Sequence, residues 1–575
     1  MQKKFARGLA LLLAFALLFG GCVKQEEPVF APEPTPSPES TPAPMFVLGQ
    51  LELRQGERRL LTECFSSDFV PEGAVAFRSS DESVVSVDDQ GELIAKAQGE
   101  AVVSAAYGES QDEITVVVKG VLEAPNLHIQ INYLALAPGE TGSLSCSVTE
   151  GIEGEPLWST NDEAVATVDN QGNVTAVGKG TARVTARVGE YEDSVAVWVT
   201  GSKPHAPLSE IKAPRFSAEE GVLKNAEASD TGKASILLTG DLMVLSSQQY
   251  AAKSGKTYNY NSSFKLVRPI FAKGDFVMGN LETCLSYSNP YTAEEKTVQD
   301  NPNCNAQATF LDALCYAGYD AVATANNHCG DTGTMGLYET VQMLDTYRLA
   351  HTGTFTRAGE QRFLLAEING IQVAFLSYTE IINTKYGNLA IPDAQKSILL
   401  NKYSEEKVQR DVAAAREAGA EFVIAYNHWG MENTHDYTKK QVEHAQQMAD
   451  AGVDFIAGSH SHCLQPPKMF TASDGRQVPC IFSMGNFVSG MGRDINNDTV
   501  ILKLDLVREG EGVALKSVGY IPCRVFVEYG DGHHVVVPTS SALNGGKTGP
   551  TLTAARERIV KVMGNDVFQE IKELG

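Results

Sequence analysis

Between Ala234 and Val488 the chain repeats one pattern: a short apolar run that reads as a buried strand, a polar cluster, and often a stretch with helical spacing. The runs are Ile236-Leu237-Leu238-Thr239, Phe276-Val277-Met278, Ala321-Val322-Ala323-Thr324, Val373-Ala374-Phe375-Leu376, Phe422-Val423-Ile424-Ala425, Phe455-Ile456-Ala457 and Ile481-Phe482-Ser483-Met484. Helical spacing of about 3.6 residues marks Ala306 to Ala317, Met335 to Tyr347, Glu405 to Ala418 and Thr438 to Ala451. Gly318, Gly419 and Gly452 stand just past three of these, where a left-handed cap residue ends a helix. The alternation predicts an α/β domain whose sheets are covered by helices.

In such sheets ligands gather beyond the carboxyl ends of the strands. Five polar clusters sit there: Gly240-Asp241, Asn280-Leu281-Glu282, Asn326-Asn327-His328, Asn427-His428-Trp429-Gly430 and His460-Ser461-His462. Together they offer carboxylates, an amide and imidazoles, the donor set that holds one or two divalent metals. Taken singly, most have a plain structural reading. Asp241 would suit a helix N-cap, Asn326-Asn327 a turn, and His428 beside Trp429 a packed core. His460-Ser461-His462, preceded by Gly458, resists such a reading because it places two imidazoles on one short loop. His351, His435 and His444 read as surface or structural residues, and His533 and His534 as part of a polar surface turn.

These clusters, with Ser483-Met484-Gly485-Asn486-Phe487 as a sixth, resemble the capsule-synthesis CapA family associated with poly-γ-glutamate. That family is itself similar to calcineurin-like metallophosphatases. The resemblance spans roughly Ile236 to Val488 and implies an αββα sandwich. It implies Asp241 and Glu282 as carboxylate ligands, Glu282 bridging two metals, with Asn327, His428, His460 and His462 as the other ligands. The cofactor implied is one or two divalent ions of Mn, Fe or Zn. His328 would face the substrate as proton donor or charge stabiliser, oriented by Asp331 or Glu432. One departure stands out: the wider metallophosphatase pattern has a histidine two residues after the first aspartate, and here that residue is Met243.

Before this domain lies an internal repeat with a period of about 80 residues, suited to a small β-sandwich. Ser80-Asp81-Glu82-Ser83-Val84-Val85-Ser86-Val87-Asp88 parallels Thr160-Asn161-Asp162-Glu163-Ala164-Val165-Ala166-Thr167-Val168-Asp169. Gly91 matches Gly172 and Gly99 matches Gly180, and helical periodicity is absent. Both copies resemble the bacterial immunoglobulin-like group 2 repeat, the second more closely through Trp158-Ser159-Thr160, Val174-Thr175-Ala176 and Gly180-Thr181-Ala182. The role this implies is a spacer or an adhesion module, with spacer the simpler reading.

The N-terminus sets the expected compartment. Lys3, Lys4 and Arg7 precede an apolar run from Leu9 to Phe19, too short to span a bilayer, that ends in Phe19-Gly20-Gly21-Cys22. This resembles a bacterial lipoprotein cleavage box, which implies a lipid on Cys22 that anchors the protein to the outer face of the membrane. An ordinary signal peptide with an incidental cysteine would show much the same pattern. Val23 to Pro44 is rich in Pro, Glu, Ser and Thr and reads as an extended tether. A net charge of −24 argues against nucleic acid as a partner of the general surface. Cys284 and Cys304 flank a polar loop and are candidates for a disulfide; buried free thiols are the simpler reading for most of Cys315, Cys329, Cys463 and Cys480.

The expected plan is therefore a signal peptide (1–22), a tether (23–44), two Ig-like sandwiches (45–120 and 121–201), a linker (202–233), the metallophosphatase-like domain (234–538), and a C-terminal tail (539–575) carrying an amphipathic helix over Ala554 to Leu574. The expected function is metal-activated hydrolysis on a cell-envelope polymer, poly-γ-glutamate among the candidates, in capsule synthesis, export or processing. The competing expectation is a non-catalytic polymer-binding or adhesion lipoprotein with a degenerate hydrolase domain.

Overall fold

The structure, a computed structural model, describes residues 127–574 except 132, 149–153, 201–205, 212–213, 220, 289–303, 358, 384–390, 392, 511 and 528–531, and before them residues 46, 50–55, 58–61, 65, 75–88, 90–108 and 110–121. The expected signal peptide, Cys22 and the expected tether lie outside the described residues. Among the described residues no helix is long and apolar enough to cross a membrane. The chain divides into two compact units, Met1–Ala124 and Pro125–Gly575.

The first unit is a small sandwich. One sheet runs Gln50–Gln55, Ser110–Val121, Gly99–Tyr107, Ala76–Ser79, and the other runs Arg58–Leu60, Glu92–Ala95, Val85–Val87. The second repeat, in the second unit, has the same strand order. Its sheets run Tyr133–Leu136, Tyr191–Val199, Gly180–Val188, Leu157–Thr160 and Thr141–Ser143, Asn173–Ala176, Ala166–Val168. The repeated aspartate organises the same turn twice. Asp88 Oδ1 accepts from the amides of Gln90 and Glu92, each at 2.9 Å, and Asp169 Oδ1 from those of Gln171 and Asn173 at 2.9 and 2.8 Å. The glycine that follows has φ near 80° in both copies, and a Cβ there would run into Phe77 in one and Trp158 in the other.

The rest of the second unit is built on two sheets packed face to face. In chain order its principal strands are β1 (Ser217–Glu219), β2 (Val222–Lys224), β3 (Lys233–Leu242), β4 (Phe276–Leu281), β5 (Ala321–Ala323), β6 (Ala350–Thr352), β7 (Leu364–Ile368), β8 (Ile371–Thr379), β9 (Phe422–His428), β10 (Phe455–Ser459), β11 (Leu464–Thr471), β12 (Gln477–Met484), β13 (Asn486–Val488), β14 (Asp498–Glu509), β15 (Gly512–Val527), β16 (His534–Pro538) and β17 (Gln569–Glu570). One sheet has the order β1-β2-β7-β8-β9-β10-β12-β11. The other runs β6-β5-β4-β3-β14-β15-β16, with β13 beside β3 and β17 beside β15. Side chains alternate between the two faces of each strand. Ile236 and Leu238 of β3 meet Phe375, Ile424 and Phe455 of the opposite sheet in the central core, while Leu237 turns outward. The ring of Phe276 stacks on Phe375 across the gap at 4.9 Å.

Helices close both outer faces. α1 (Phe310–Ala317) and α2 (Gly333–Thr346) cover the β3–β6 side, and α3 (Glu405–Glu417) and α4 (Lys439–Asp450) cover the β8–β10 side. The capping chemistry is local. The Ser404 side chain accepts from the Lys407 amide, Thr438 and Gln441 form a capping box, and Gly318 ends α1 at φ 102°. The result is the αββα sandwich that the family resemblance implied.

Four expectations are corrected. Residues 202–233 are more than a linker, since β1 and β2 extend the eight-stranded sheet, β2 in register with β7, and Phe216 is buried against Phe276. Arg215 pairs with buried Asp320 through two hydrogen bonds, that from Nε at 3.0 Å, and also donates to the Gly274 carbonyl. Arg215→Ala is expected to cost about 3 kcal/mol in urea unfolding, because it leaves a buried carboxylate without its cation. Secondly, the terminal helix is α5 (Pro550–Met563), shorter than expected. It stops at Gly564 (φ 62°), after which Gln569–Glu570 pairs with β15, so residues 539–574 complete the domain. Thirdly, Cys284 is a free thiol whose Sγ contacts the His328 carbonyl at 3.1 Å, which excludes the disulfide with Cys304; Cys315 is exposed. Fourthly, His534 is buried, because it opens β16.

The second Ig-like repeat shares its unit with this sandwich. Trp198, the penultimate residue of its strand Tyr191–Val199, is fully buried. It is stacked between Tyr133 of the same repeat and Tyr338 of α2, with 4.7 Å between ring centres on each side. Tyr133 donates to Asp345 at 2.7 Å, and Arg357 bridges to the Ile129 carbonyl and to Asp193, each at 3.3 Å.

Candidate metal centre

The strand ends bring the six candidate donors together. β3 shifts register against β4 between Leu238 and Asp241, and there the Asp241 amide donates to the Gly485 carbonyl at 3.0 Å. A Cβ on Gly240 would lie 1.9 Å from that same carbonyl oxygen, so only glycine lets the strand turn Asp241 inward. Gly458 does the same for β10, where a Cβ would stand 2.0 Å from the Phe482 carbonyl oxygen. Just beyond, His460 (φ 90°) and His462 (φ 56°) both hold left-handed backbone, a strained pair that turns two imidazoles toward one point.

Hydrogen bonds fix which atoms face inward. Ser459 Oγ gives its proton to the Asn427 carbonyl, so it accepts from His428 Nδ1 at 2.9 Å. That leaves the lone pair of His428 Nε2 pointing into the centre, 2.8 Å from Asn327 Oδ1, 3.0 Å from His460 Nδ1 and 3.3 Å from Glu282 Oε1. Asn486 spends its amide hydrogens on Met491 and the Asn496 carbonyl, so its Oδ1 accepts from His462 Nδ1 at 3.0 Å, and His462 Nε2 stands 3.9 Å from Glu282 Oε1. Asn280 donates to Asp241 Oδ1 at 2.7 Å and orients that carboxylate. Outer partners of this kind commonly hold the ligands of a metal.

Glu282 lies at the middle, fully buried, and among the described residues neither carboxylate oxygen has a hydrogen-bond donor. A buried carboxylate without donors is costly, and here Asn327 Oδ1 and the lone pair of His428 Nε2 are other acceptors, leaving the His462 ring, 3.9 Å from Oε1, as its nearest source of positive charge. Burial and then the charge of Asp241 push the Glu282 carboxyl well above its ordinary range. Burial likewise drives His428 down to about 3, which keeps it neutral. Burial would also lower His462, but Glu282 and Asp241 outweigh it and raise it to about 9. Converging acceptors around an unpartnered anion fit a cation, and the donor atoms fall into overlapping groups within 4.8 Å: Glu282, His428 and His460; Asp241, Glu282 and His462; Glu432, His460 and His462.

His328 and Asp331 sit beside this centre. His328 Nδ1 is 2.7 Å from Asp331 Oδ2, and the carboxylate also accepts from the Cys304 amide and from Asn383 Nδ2. Of the two carboxylates expected to orient His328, Asp331 therefore takes that part, while Glu432 is exposed and belongs instead with His460 and His462. Asn326 bonds the carbonyls of Leu281 and Thr324 and the His328 amide, and so shapes the loop without facing the centre. Ser459, Asn280 and Asn383 had no role assigned from sequence. The first two adjoin or belong to the polar clusters, a usable signal, whereas nothing near Asn383 marks it.

Residues 235–491 match the family described as bacterial capsule synthesis protein PGA_cap, and residues 126–199 match the bacterial Ig-like domain (group 2). The chain is 26% identical over 282 residues to the PGA biosynthesis protein CapA of Bacillus subtilis (strain 168), covering 48% of this chain and 68% of that one. It is 26% identical over 290 residues to the capsule biosynthesis protein CapA of Bacillus anthracis, covering 49% of this chain and 66% of the relative. Among solved structures, the calcineurin-like phosphoesterase YfkN from Bacillus subtilis aligns with 57% of this chain and 97% of its own at 14% identity, with a TM-score of 0.30. Residues 235–491, similar to the PGA_cap family, thus fold as an αββα sandwich, and the residues before them are similar to the group 2 Ig-like domain.

Proposed function

We propose that this PGA_cap-domain protein is a metal-dependent hydrolase of the cell envelope that acts in capsule synthesis on an envelope polymer, held at the membrane by a lipid on Cys22. The observation that carries the reading is Glu282, a buried carboxylate without donors among inward-facing lone pairs. Asp241, Glu282, Asn327, His428, His460 and His462 would hold one or two divalent ions. Such ions supply Lewis acidity toward a phosphoryl or acyl oxygen and lower the pKa of water.

The chain's own contribution is proton placement. Asp331 accepts from His328 Nδ1, which fixes the imidazole so that Nε2 is the atom free to serve a leaving group. Burial would lower the His328 pKa, but Asp331 outweighs it and raises the ring above its usual value, which favours the proton-donating form. A phosphoester, or the γ-glutamyl amide of poly-γ-glutamate, would suit this arrangement.

The test is to measure Mn, Fe and Zn in the purified protein and to assay phosphodiesters and poly-γ-glutamate before and after chelation. Returning the cation at about 100 times its Kd should raise stability by about 2.7 kcal/mol. Absence of bound metal, with His460→Ala indistinguishable from the parent, would end the reading. Met243 is buried where the wider pattern has a ligand, and it favours a second reading in which the domain binds polymer without cleaving it. Polymer binding that persists after chelation would select that alternative.

A further inference from the structure

The donors around the centre are uneven. The cation position near Glu282, His428 and His460 also has Asn327 Oδ1, 2.8 Å from His428 Nε2, and so counts four protein donors. The position near Asp241, Glu282 and His462 counts three. Met243 adds none there, since a thioether is a poor partner for a cation held by carboxylates and imidazoles. Resting on the metal reading above, we infer that Glu432, from the exposed loop after β9, is the fourth protein donor to the cation bound by His462.

Two observations support this. Glu432 offers a carboxylate oxygen within 4.8 Å of ring nitrogens of both His460 and His462. Donors about 2.1 Å from a common ion are separated by no more than about 4.2 Å, so a small adjustment of an exposed side chain closes the set. Moreover, the Glu432 loop is fastened along its length to the histidine loop. The Asn433 amide donates to the Ser461 carbonyl at 2.7 Å. Asn496 Nδ2 bridges Asn433 Oδ1 and the His462 carbonyl, each at 3.0 Å, and His435 Nδ1 meets the Leu464 carbonyl at 2.6 Å. Asn433 adopts left-handed backbone at φ 61° within this clasp. The carboxylate is thus delivered to the histidines by fixed backbone.

The experiment is a Mn(II) titration of the full chain followed by calorimetry and electron paramagnetic resonance, with Glu432→Gln and Glu432→Asp compared. The parent should bind two ions and show the exchange-coupled signal of a close pair. Glu432→Gln should bind one ion with the parent's tighter affinity and lose the second by at least about tenfold, the change that removing even an outer partner can produce. Its spectrum should become that of isolated Mn(II), and Glu432→Asp should recover part of the coupling. Because Glu432 is exposed, an unaltered melting curve without metal will confirm that the variant folds. Two ions bound unchanged in Glu432→Gln, or a single ion of equal affinity in parent and variant, overturns the inference while leaving the metal centre intact. No ion bound by the parent overturns the metal reading itself.

Discussion

Glu282→Gln is expected to raise the melting temperature of the metal-free protein and, in the same variant, to abolish stabilisation by added divalent ions. The two effects share one cause. Without a cation, folding at neutral pH obliges Glu282 to bury a charge with no donor or to take up a proton, beside the charge of Asp241 and the lone pairs of Asn327 and His428. The amide keeps the shape, removes the charge and brings two hydrogens to atoms that lack them, which should stabilise the metal-free state by about 1–3 kcal/mol. It also removes the donor common to two cation groups, so affinity should fall by more than the roughly 10–100-fold seen when outer partners are lost. Differential scanning calorimetry with and without Mn(II) reads both. A variant less stable than the parent without metal, or one still stabilised by the ion, would show that Glu282 is satisfied in a way the geometry does not reveal.

Trp198→Ala is expected to destabilise the whole second unit by about 3–5 kcal/mol, the usual cost of emptying a large aromatic site. Trp198 belongs by sequence to the Ig-like repeat, yet it packs with Leu337, Tyr338 and Val341 of α2 and with Leu399 and Leu400. Helix α2 begins at Gly333, directly after the loop that carries His328 and Asp331. Hydrogen exchange should therefore quicken both in Tyr191–Val199 and in Gly333–Thr346. If the repeat is only a spacer, exchange will quicken in the repeat alone and α2 will keep its protection. The role favoured from sequence for both repeats, a spacer, would then hold for the second copy.

Segments held in place by tertiary contacts carry little periodic signal of their own. Ser217–Glu219 and Val222–Lys224 are three residues each, exposed or half-buried at most positions, so no periodicity marks them; they are strands because β7 offers an edge. The apolar spacing overruns the terminal helix because Val567 and Ile571 continue it past Gly564, where the backbone leaves the helix. The central strands were legible because burial on both faces gives unbroken apolar runs. Their helices were legible because cap residues and glycine stops act within a single turn.

Sequence by itself determined an α/β domain of helix-covered sheets, the twin sandwiches and the types of donor, since strand periodicity, turn chemistry and helix caps are properties of neighbouring residues; the αββα order was implied only by the family resemblance. Only the tertiary structure decided that Glu282 lacks donors, that Asp331 and not Glu432 holds His328, and that Trp198 ties an Ig-like repeat to α2. Glu282 and Trp198 meet neighbours such as His428 and Tyr338 only after segments more than a hundred residues apart have closed on one another, and although Asp331 lies three residues from His328, only the folded loop shows which carboxylate reaches the ring.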